Sequence, residues 1–488
     1  MHSKILPCGL AISAMIAVTG CKAPDTKTTI PDKPNIIYIL ADDLGWGDIS
    51  YLGQEKFDTP NIDRLIKQGM FFTNHYSGST VCAPSRSSLL TGHHTGNTPI
   101  RGNKEYEPEG QEPLPAGTLT FAHILQDAGY ATGAYGKWGL GFVGTTGDPN
   151  KQGFDEFFGY NCQRYAHRYY PTHIWHNENK VILEGNDWTN KEVYAQDVIQ
   201  DEALRFIERN KDNPFFLFVP SLIPHAELIV PDDSIFQSYK GKYPEVPFVN
   251  PRKGADYGPD LDVILYASQE YPRATFAAMV ARLDLHVGQI VDKVKELGLE
   301  ERTIIMFTSD NGSHREGGAD PEFFNSRGGF RGYKRDLYEG GIRVPFVVSW
   351  PGVIESGTKS DHISAFWDIF PTFSELAGVP VPENIDGISF VPSLLGQRDQ
   401  PVHDYLYWEF HELGGRQAVR MGKWKGVKYN VLRSDRPMEL YDLELDPAES
   451  NDVAAMHPEI IEKMEEILVE ARTESDIFTF KSETVRGE

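Results

Sequence analysis

The sequence has few cysteines, no long hydrophobic run and a deficit of basic side chains. Four cysteines in 488 residues (Cys8, Cys21, Cys82 and Cys162) do not form a disulfide framework. Lysine and arginine number 47 against 70 acidic residues, which gives a net charge of −23. Because nucleic-acid binding requires basic residues that displace counterions, we expect no nucleic-acid partner. An anionic substrate would require basic residues concentrated in one local site.

The rest of the composition is that of an ordinary folded protein. Charged residues make up 24% and aromatic residues 12% of the chain, and the 45 glycines and 32 prolines follow no period. These values exclude collagen, low-complexity and disordered classes. A chain of this length buries about three quarters of its unfolded surface, so a stable core is expected without covalent cross-links.

The first 34 residues have the features of an export signal and a tether. An apolar run from Gly9 to Val18 is too short for the ~20 residues of a membrane span, which predicts a secretory signal peptide over 1–20. Val18-Thr-Gly-Cys21 resembles a bacterial lipobox with Cys21 lipidated, and an ordinary signal peptide with an incidental cysteine is the alternative. The polar segment 21–34 suits a tether. We therefore expect an exported lipoprotein, periplasmic or on the cell surface, with a lipid anchor in the membrane.

Apolar runs alternate with amphipathic stretches along the main body. Such runs are typical of strands buried on both faces, and the alternation predicts an α/β fold with a central, mostly parallel sheet. After residue 396, short alternating segments precede a final helix, which predicts a catalytic domain over 35–396 and a small α+β domain over 397–488. The predicted strands of the main body are 35–41, 215–220, 303–309 and 344–350; the helices are 61–68, 118–128, 195–210 and 274–297; the C-terminal strands are 405–410, 416–420, 424–429 and 439–442, followed by a helix at 457–472.

Oxygen-bearing side chains follow two of the predicted strands. Asp42 and Asp43 come directly after the strand at 35–41, and Asp310 and Asn311 after the strand at 303–309. Alone, each pair is also typical of a helix cap or a turn. Because sites in open α/β sheets form at the carboxyl ends of strands, we expect the pairs to face one crevice. Three carboxylates and an amide predict a site for one hard divalent cation, with Ca²⁺ favoured.

A cysteine-containing motif connects the chain to a known family. Cys82-Ala-Pro-Ser-Arg86, followed by Leu90-Thr-Gly92, resembles the signature of the type I sulfatases. Pro84 is typical of a helix start, which places residue 82 at a positive helix terminus. Further blocks resemble this family and occur in its order: 35–48, Tyr135–Trp138, Pro224-His225, 308–312, 332–345 and 439–447.

The resemblance implies a fold, an activity and a modified residue. It implies an alkaline-phosphatase-like sandwich that hydrolyses sulfate esters, here of a sulfated carbohydrate. In the family, a separate maturation enzyme oxidises the cysteine, here Cys82, to formylglycine (3-oxoalanine). The hydrated aldehyde attacks sulfur through one hydroxyl, and the second hydroxyl then expels sulfate. The resemblance also adds residue 82 to the metal set.

The resemblance further implies roles for basic residues in the motifs. Arg86, Lys137 and Lys334 would supply the local positive charge that an acidic protein needs to bind sulfate. His225, together with Lys334, would protonate the leaving oxygen. Asp310 would help to deprotonate the nucleophile.

One position departs from the family pattern. Many sulfatases have a histidine where this chain has Gly139, and that histidine is usually assigned to deprotonating the second hydroxyl. Another base or water must then serve in the elimination step. His93 and His94 are candidates for this role, and exposed imidazoles at a helix end are the alternative.

The substrate is predicted only by class. The segment 165–176 mixes aromatic and polar residues as a sugar site does, and the chain resembles bacterial carbohydrate sulfatases, which suggests a galactose or N-acetylgalactosamine sulfate. The alternatives are a phosphonate or phosphate ester hydrolase of the same superfamily and a catalytically inactive protein that binds sulfated glycans. The substrate-binding candidates are His167, Arg168, Arg327 and Arg101.

Overall fold

The computed structural model of the protein describes residues 32–250, 266–433 and 436–480. In these ranges, no helix combines the length and the apolar character that crossing a membrane requires. The predicted signal peptide over 1–20, Cys21 and most of the tether lie outside the described residues.

The described residues form strands and helices that alternate along the main body. The strands are β1 Asn35–Ala41, β2 Met70–Tyr76, β3 Glu105–Tyr106, β4 Gly110–Gln111, β5 Ala131–Lys137, β6 Glu156–Tyr160, β7 His173–His176, β8 Asn179–Ile182, β9 Phe215–Pro220, β10 Thr303–Ser309, β11 Phe346–Ser349, β12 Thr358–Ala365, β13 Leu406–Phe410, β14 Arg416–Met421, β15 Trp424–Tyr429 and β16 Glu439–Asp442. The helices are α1 Pro60–Gln68, α2 Cys82–Thr91, α3 Phe121–Asp127, α4 Gln163–Ala166, α5 Ala195–Arg209, α6 Ser234–Tyr239, α7 Pro272–Glu296, α8 Pro321–Phe324, α9 Glu339–Ile342, α10 Ile369–Leu376, α11 Val391–Leu394 and α12 Pro458–Glu470.

The main body is built on one ten-stranded sheet. Its strand order is β12-β2-β11-β10-β1-β9-β5-β6-β7-β8. The central strands β10, β1, β9, β5 and β6 are mutually parallel, whereas β11 is antiparallel to both of its neighbours, and β7 and β8 are antiparallel additions at the far edge. The predicted α/β fold with a mostly parallel central sheet is therefore confirmed.

Strand β1 shows why the sheet lies between two layers of helices. Ile37 and Ile39 pack into one core with α1, α5 and α7. Ile36, Tyr38 and Leu40 pack into a second core with α2, α3 and α10. Because successive side chains point to opposite faces, only a continuous apolar run can fill both cores, and all seven residues of β1 are buried.

The remaining strands of the sheet have weaker sequence signals. The predicted strand at 344–350 forms as β11 over Phe346–Ser349, but it runs antiparallel to β10. Strand β5 contains two glycines, and β12 is a half-exposed edge strand with mostly polar residues. Neither has the apolar run of a buried strand, so the sequence analysis did not predict them.

The C-terminal region contains a four-stranded antiparallel sheet in the order β13-β14-β15-β16. One face of this sheet packs on α12, through residues such as Val419 and Leu468. The other face packs on the main body, where Trp408 and Phe410 meet Tyr76 and Leu337. The small α+β architecture is confirmed, and the boundary at 396–397 remains a prediction.

Candidate active site

The ends of two parallel strands bring the predicted metal residues together. Ala41 of β1 lies opposite Ser309 of β10, so the acidic residues that follow both strands meet. The backbone N–H of Asp43 donates to Asp310 Oδ1 (3.1 Å), and Asn311 Nδ2 donates to Asp43 Oδ1 (2.7 Å). Asp43 has a left-handed backbone (φ 66°), which interrupts the strand alternation and lets two consecutive carboxylates face the same site.

These residues fit a divalent cation. Ligand atoms of Asp42, Asp43, Cys82 and His225 lie within 4.8 Å of one another. The side-chain oxygen Oδ1 of Asn311 is buried and has no hydrogen-bond partner among the described residues, which is unusual for a buried polar atom. Burial and the neighbouring Asp42 carboxylate raise the pKa of Asp310 to about 7. A cation bound by oxygen ligands would satisfy the free oxygen and relieve this repulsion.

Cys82 is the first residue of α2, a helix whose ten residues are all buried. Its thiol donates to Asp42 Oδ1 across 3.3 Å. Burial, and then the Asp42 carboxylate, raise the pKa of the thiol well above its ordinary value. Because thiolates are the nucleophilic form of cysteine, an unmodified Cys82 is a poor nucleophile here.

Two basic side chains connect the cysteine helix to the carboxylates. Arg86, one turn along α2, donates from Nη2 to Asp310 Oδ2 (2.9 Å) and from Nη1 to the Lys137 carbonyl (2.6 Å). Lys137, at the end of β5, donates from Nζ to Asp42 Oδ2 (2.6 Å). Burial alone would lower the pKa of Lys137, but the Asp42 carboxylate outweighs it and raises the pKa, so the lysine is charged.

Lys334 and His225 form the opposite side of the site. Lys334 Nζ lies 2.8 Å from Asp43 Oδ2 and 2.9 Å from His225 Nε2. His225 Nδ1 contacts the carbonyl of Ala226, so this nitrogen donates and Nε2 accepts from Lys334. Burial, and then the Lys334 ammonium, hold the pKa of His225 well below its ordinary value. The imidazole is therefore neutral and the ammonium of Lys334 holds the proton.

The sequence analysis missed two residues beside this pair. The ring of His314 stacks on that of His225, with centroids 5.8 Å apart, and Glu316 Oε2 lies 3.3 Å from Lys334 Nζ. Both follow Asp310-Asn311 within six residues, on the same loop. Their closeness to a predicted metal pair was the available signal.

The predicted substrate residues are distributed around the site. The ring of His167 stacks on His225, with centroids 4.7 Å apart and planes 8° from parallel. Arg168 is buried in an ion pair with Glu227. Arg327 packs over the ring of Tyr333, the sequence neighbour of Lys334.

Three other predicted residues lie elsewhere. Arg101 donates from Nη1 to Glu409 (3.0 Å) and to the Thr473 carbonyl (2.8 Å), so it connects the main body to the C-terminal region instead of facing a substrate. His93 and His94 follow the far end of α2, roughly 15 Å from residue 82 at about 1.5 Å per residue, and both face Asp386. They cannot replace the histidine missing at Gly139.

The site combines a set of carboxylates that fits a cation with basic side chains on two sides. This combination suits the binding of an anionic ester and the stabilisation of the charge that develops as the ester is cleaved. The fold and the site therefore define a hydrolase of anionic esters.

Comparison with known proteins gives the family. A profile of the sulfatase family matches residues 34–379, and a profile described as "N-sulphoglucosamine sulphohydrolase, C-terminal" matches residues 328–474. The protein belongs to the sulfatase family and is a sulfuric ester hydrolase.

Individual relatives cover nearly the whole chain. An N-acetylgalactosamine-6-O-sulfatase of Bacteroides thetaiotaomicron is 30% identical over 96% of this chain and 99% of its own length. The crystal structure of Ps i-CgsB superposes with a TM-score of 0.72 and 29% identity, covering 92% of this chain and 94% of that one, and that protein has also been solved with k-i-k-neocarrahexaose. A phosphonate monoester hydrolase of Agrobacterium radiobacter (TM-score 0.63, 21% identity, 90% and 95% covered) shares the fold alone.

Proposed function

We propose that this protein hydrolyses an O-sulfate ester of a carbohydrate, with residue 82 acting as the nucleophile after oxidation to formylglycine. The observation behind this proposal is the position of Cys82, whose Sγ lies 3.3 Å from Asp42 at the start of a buried helix. In this position the thiol itself is held protonated, so a different nucleophile is needed. The hydrated aldehyde supplies that nucleophile as a hydroxyl group.

The basic residues bind the sulfate and offset its charge. Arg86 and Lys137 lie on the α2 side of the carboxylates and Lys334 on the other, so an ester between them is approached by cations from two sides. The backbone N–H groups at the start of α2 add partial positive charge at residue 82. Such fixed donors stabilise the charge that develops on the departing oxygen.

The proton for the leaving alcohol comes from the pair formed by Lys334 and His225. The ammonium of Lys334 faces Nε2 of a neutral imidazole at 2.9 Å. Lys334 donates its proton to the leaving oxygen and becomes a neutral amine. A proton from water, taken up at His225 Nε2 and passed to that amine, then restores the ammonium and the neutral imidazole.

Asp42, Asp43, Asp310 and Asn311, with residue 82, would hold one divalent cation, for which we propose Ca²⁺. The cation would act as a Lewis acid on a sulfate oxygen. The oxygen-only side chains and the free Asn311 Oδ1 support this assignment.

For the substrate, we propose a galactose or N-acetylgalactosamine sulfate. The support is the full-length similarity to an N-acetylgalactosamine-6-O-sulfatase and the likeness to a protein solved with k-i-k-neocarrahexaose. As sugar contacts we propose His167, which stacks on His225, its neighbour Arg168, and Arg327, which packs on the ring of Tyr333 beside Lys334.

We also propose that the protein is exported as a lipoprotein anchored through Cys21, in the periplasm or on the cell surface. It would then meet a formylglycine-generating maturation enzyme before use. The apolar run from Gly9 to Val18 and the lipobox-like residues before Cys21 support this proposal.

The test is the mass of the tryptic peptide containing residue 82, together with rates on matched esters. Formylglycine is about 18 Da lighter than cysteine, and we expect it in protein from the native host. The same sample should hydrolyse sulfated galactosides faster than matched phosphonate esters. Faster phosphonate hydrolysis would favour the superfamily alternative. An unmodified thiol with glycan binding and no turnover would contradict catalysis.

A further inference from the structure

The side chain of Gln163 fills the space beside Gly139. Gly139 has a left-handed backbone (φ +80°), and a Cβ built on it would lie 3.0 Å from Gln163 Nε2 and 3.2 Å from Gln163 Cγ. A larger residue at 139 would therefore displace the glutamine. Side chains at positions 139 and 163 would compete for the same space, and in this protein the amide of Gln163 occupies it.

The amide nitrogen of Gln163 has no hydrogen-bond partner in the part of the chain that the structure describes. The residue is 3% exposed, and Nε2 is buried without a hydrogen-bond partner among the described residues. The large majority of buried side-chain polar atoms in native proteins are paired, so a buried amide donor without a partner, beside the position where the family has an active-site histidine, is a candidate to bind a ligand oxygen. The backbone at Gln163 is fixed, because its N–H donates to the buried Gln111.

Gln163 is close in the sequence or in the fold to residues that neighbour both Lys137 and His225. Gln163 begins α4, and His167 follows four residues later, on the same side of the helical turn. His167 stacks on His225, which contacts Lys334 at 2.9 Å. At the other end, Gly139 is two residues from Lys137, whose Nζ binds Asp42. Short stretches of chain therefore connect Gln163 to Lys137, through Gly139, and to His225, through His167.

We propose that Nε2 of Gln163 donates a hydrogen bond to an oxygen of the bound sulfate group. This assignment rests on the proposed function. An amide donates a hydrogen bond but does not take up a proton at neutral pH. Position 163 therefore binds sulfate and does not act as a base, and the proton of the second hydroxyl must go to another group or to water.

The variant Gln163→Met tests this assignment, because it keeps the length of the side chain and removes the donor. A hydrogen bond to a charged oxygen predicts a loss of about 10- to 100-fold in kcat/KM, similar on 4-nitrophenyl sulfate and on the sulfated sugar. The same variant should have an unchanged or higher Tm, since it removes an unpaired buried amide. Falling activity with undiminished stability is a result that a packing role would not produce.

The matched control is Gln152→Met. Gln152 is equally buried, but its Nε2 donates to the Thr146 carbonyl, so its loss should lower Tm and leave kcat/KM within about twofold. Wild-type kcat/KM in Gln163→Met would overturn the assignment. A loss confined to the sugar substrate would overturn it as well, because it would assign the amide to the sugar and not to the sulfate.

Inorganic sulfate separates this assignment from the proposed function. Sulfate should raise the Tm of the wild-type protein more than that of Gln163→Met, through binding to the folded state. If the wild type is stabilised in this way but hydrolyses no sulfate ester, the proposed function fails while the assignment stands. Equal stabilisation of both proteins would refute the assignment whatever the turnover.

Discussion

Two buried charge clusters in this protein differ in one respect that distinguishes a reactive site from a structural one. Around Glu409, a single carboxylate receives four donors: Arg101 and His411 at Oε1, and Arg472 and Tyr407 at Oε2, each at 2.8 to 3.0 Å. Around Cys82, three carboxylates share three basic side chains, and Asn311 Oδ1 has no partner among the described residues. Burial and charge are common to both clusters. His411 Nδ1 also has no partner among the described residues, so an unpaired buried atom does not separate the two clusters. Closely spaced carboxylates occur only around Cys82, as expected of a site that is completed by a bound cation.

The largest effect should come from Cys82→Ala, which removes the residue that becomes the nucleophile. We expect a loss of at least about 10⁴-fold in kcat, as for other enzymes that lose a covalent nucleophile. Turnover should be measured on protein whose mass confirms the variant. The control is Cys162→Ser, since this buried cysteine caps α4 and serine is also a good cap. Turnover near the wild-type rate in Cys82→Ala would contradict the mechanism.

The second-largest effect concerns the proposed cation site in the cluster around Cys82. Asp310→Ala should abolish the rise in Tm that Ca²⁺ gives the wild type, because it removes one of the crowded carboxylates. A ligand at 100 times its Kd stabilises the folded state by about 2.7 kcal/mol, so the shift in the wild type is measurable by thermal unfolding. Turnover should fall with it. A calcium-induced shift that survives in the variant would mean that the ligand set is wrong.

The third effect concerns the structural cluster. Arg101→Met leaves the Glu409 carboxylate without one of its two arginines, and breaking a buried pair costs about 3–5 kcal/mol. The free energy of unfolding, from urea titration, should fall by that order while kcat/KM stays within about twofold. A selective loss of kcat/KM at unchanged stability would return Arg101 to the substrate site and remove the distinction between the clusters.

The smallest effect is a pH dependence of stability. Burial alone would raise the pKa of Glu409, but the hydrogen bonds from His411 and Arg472 outweigh it and lower the pKa from 4.5 to about 2. A depressed carboxyl pKa contributes stability above the unfolded value, and this contribution is lost as the pH falls from about 4.5 toward 2. In urea titrations at pH 5 and pH 3, wild type should lose more stability than Glu409→Gln. Equal losses would show that Glu409 titrates normally.

Much of the fold and the site could be predicted because the signals are local. The run Asn35–Ala41 must fill two cores, and it forms the central strand as expected. Strands β5 and β12 have no such apolar run. In β5 it is interrupted by glycines where backbones pack closely, and β12 lies at the edge of the sheet, where its residues are mostly polar. Arg101 and Arg86 illustrate the same limit for side chains: both stand in polar segments, and only the structure separates an arginine bound to Glu409 from one bound to Asp310.

The sequence by itself determined the chemistry that is available: the motif around Cys82, the acidic pairs at two strand ends, and an α/β chain with a small C-terminal sheet. Only the tertiary structure decided which groups meet. The register of β1 against β10 joins Asp43 to Asp310 across 267 residues of chain, and the fold of α4 places Gln163 in the space beside Gly139. Such contacts depend on packing between segments that are far apart in the sequence. No local sequence pattern shows how close two such side chains lie or how deeply they are buried.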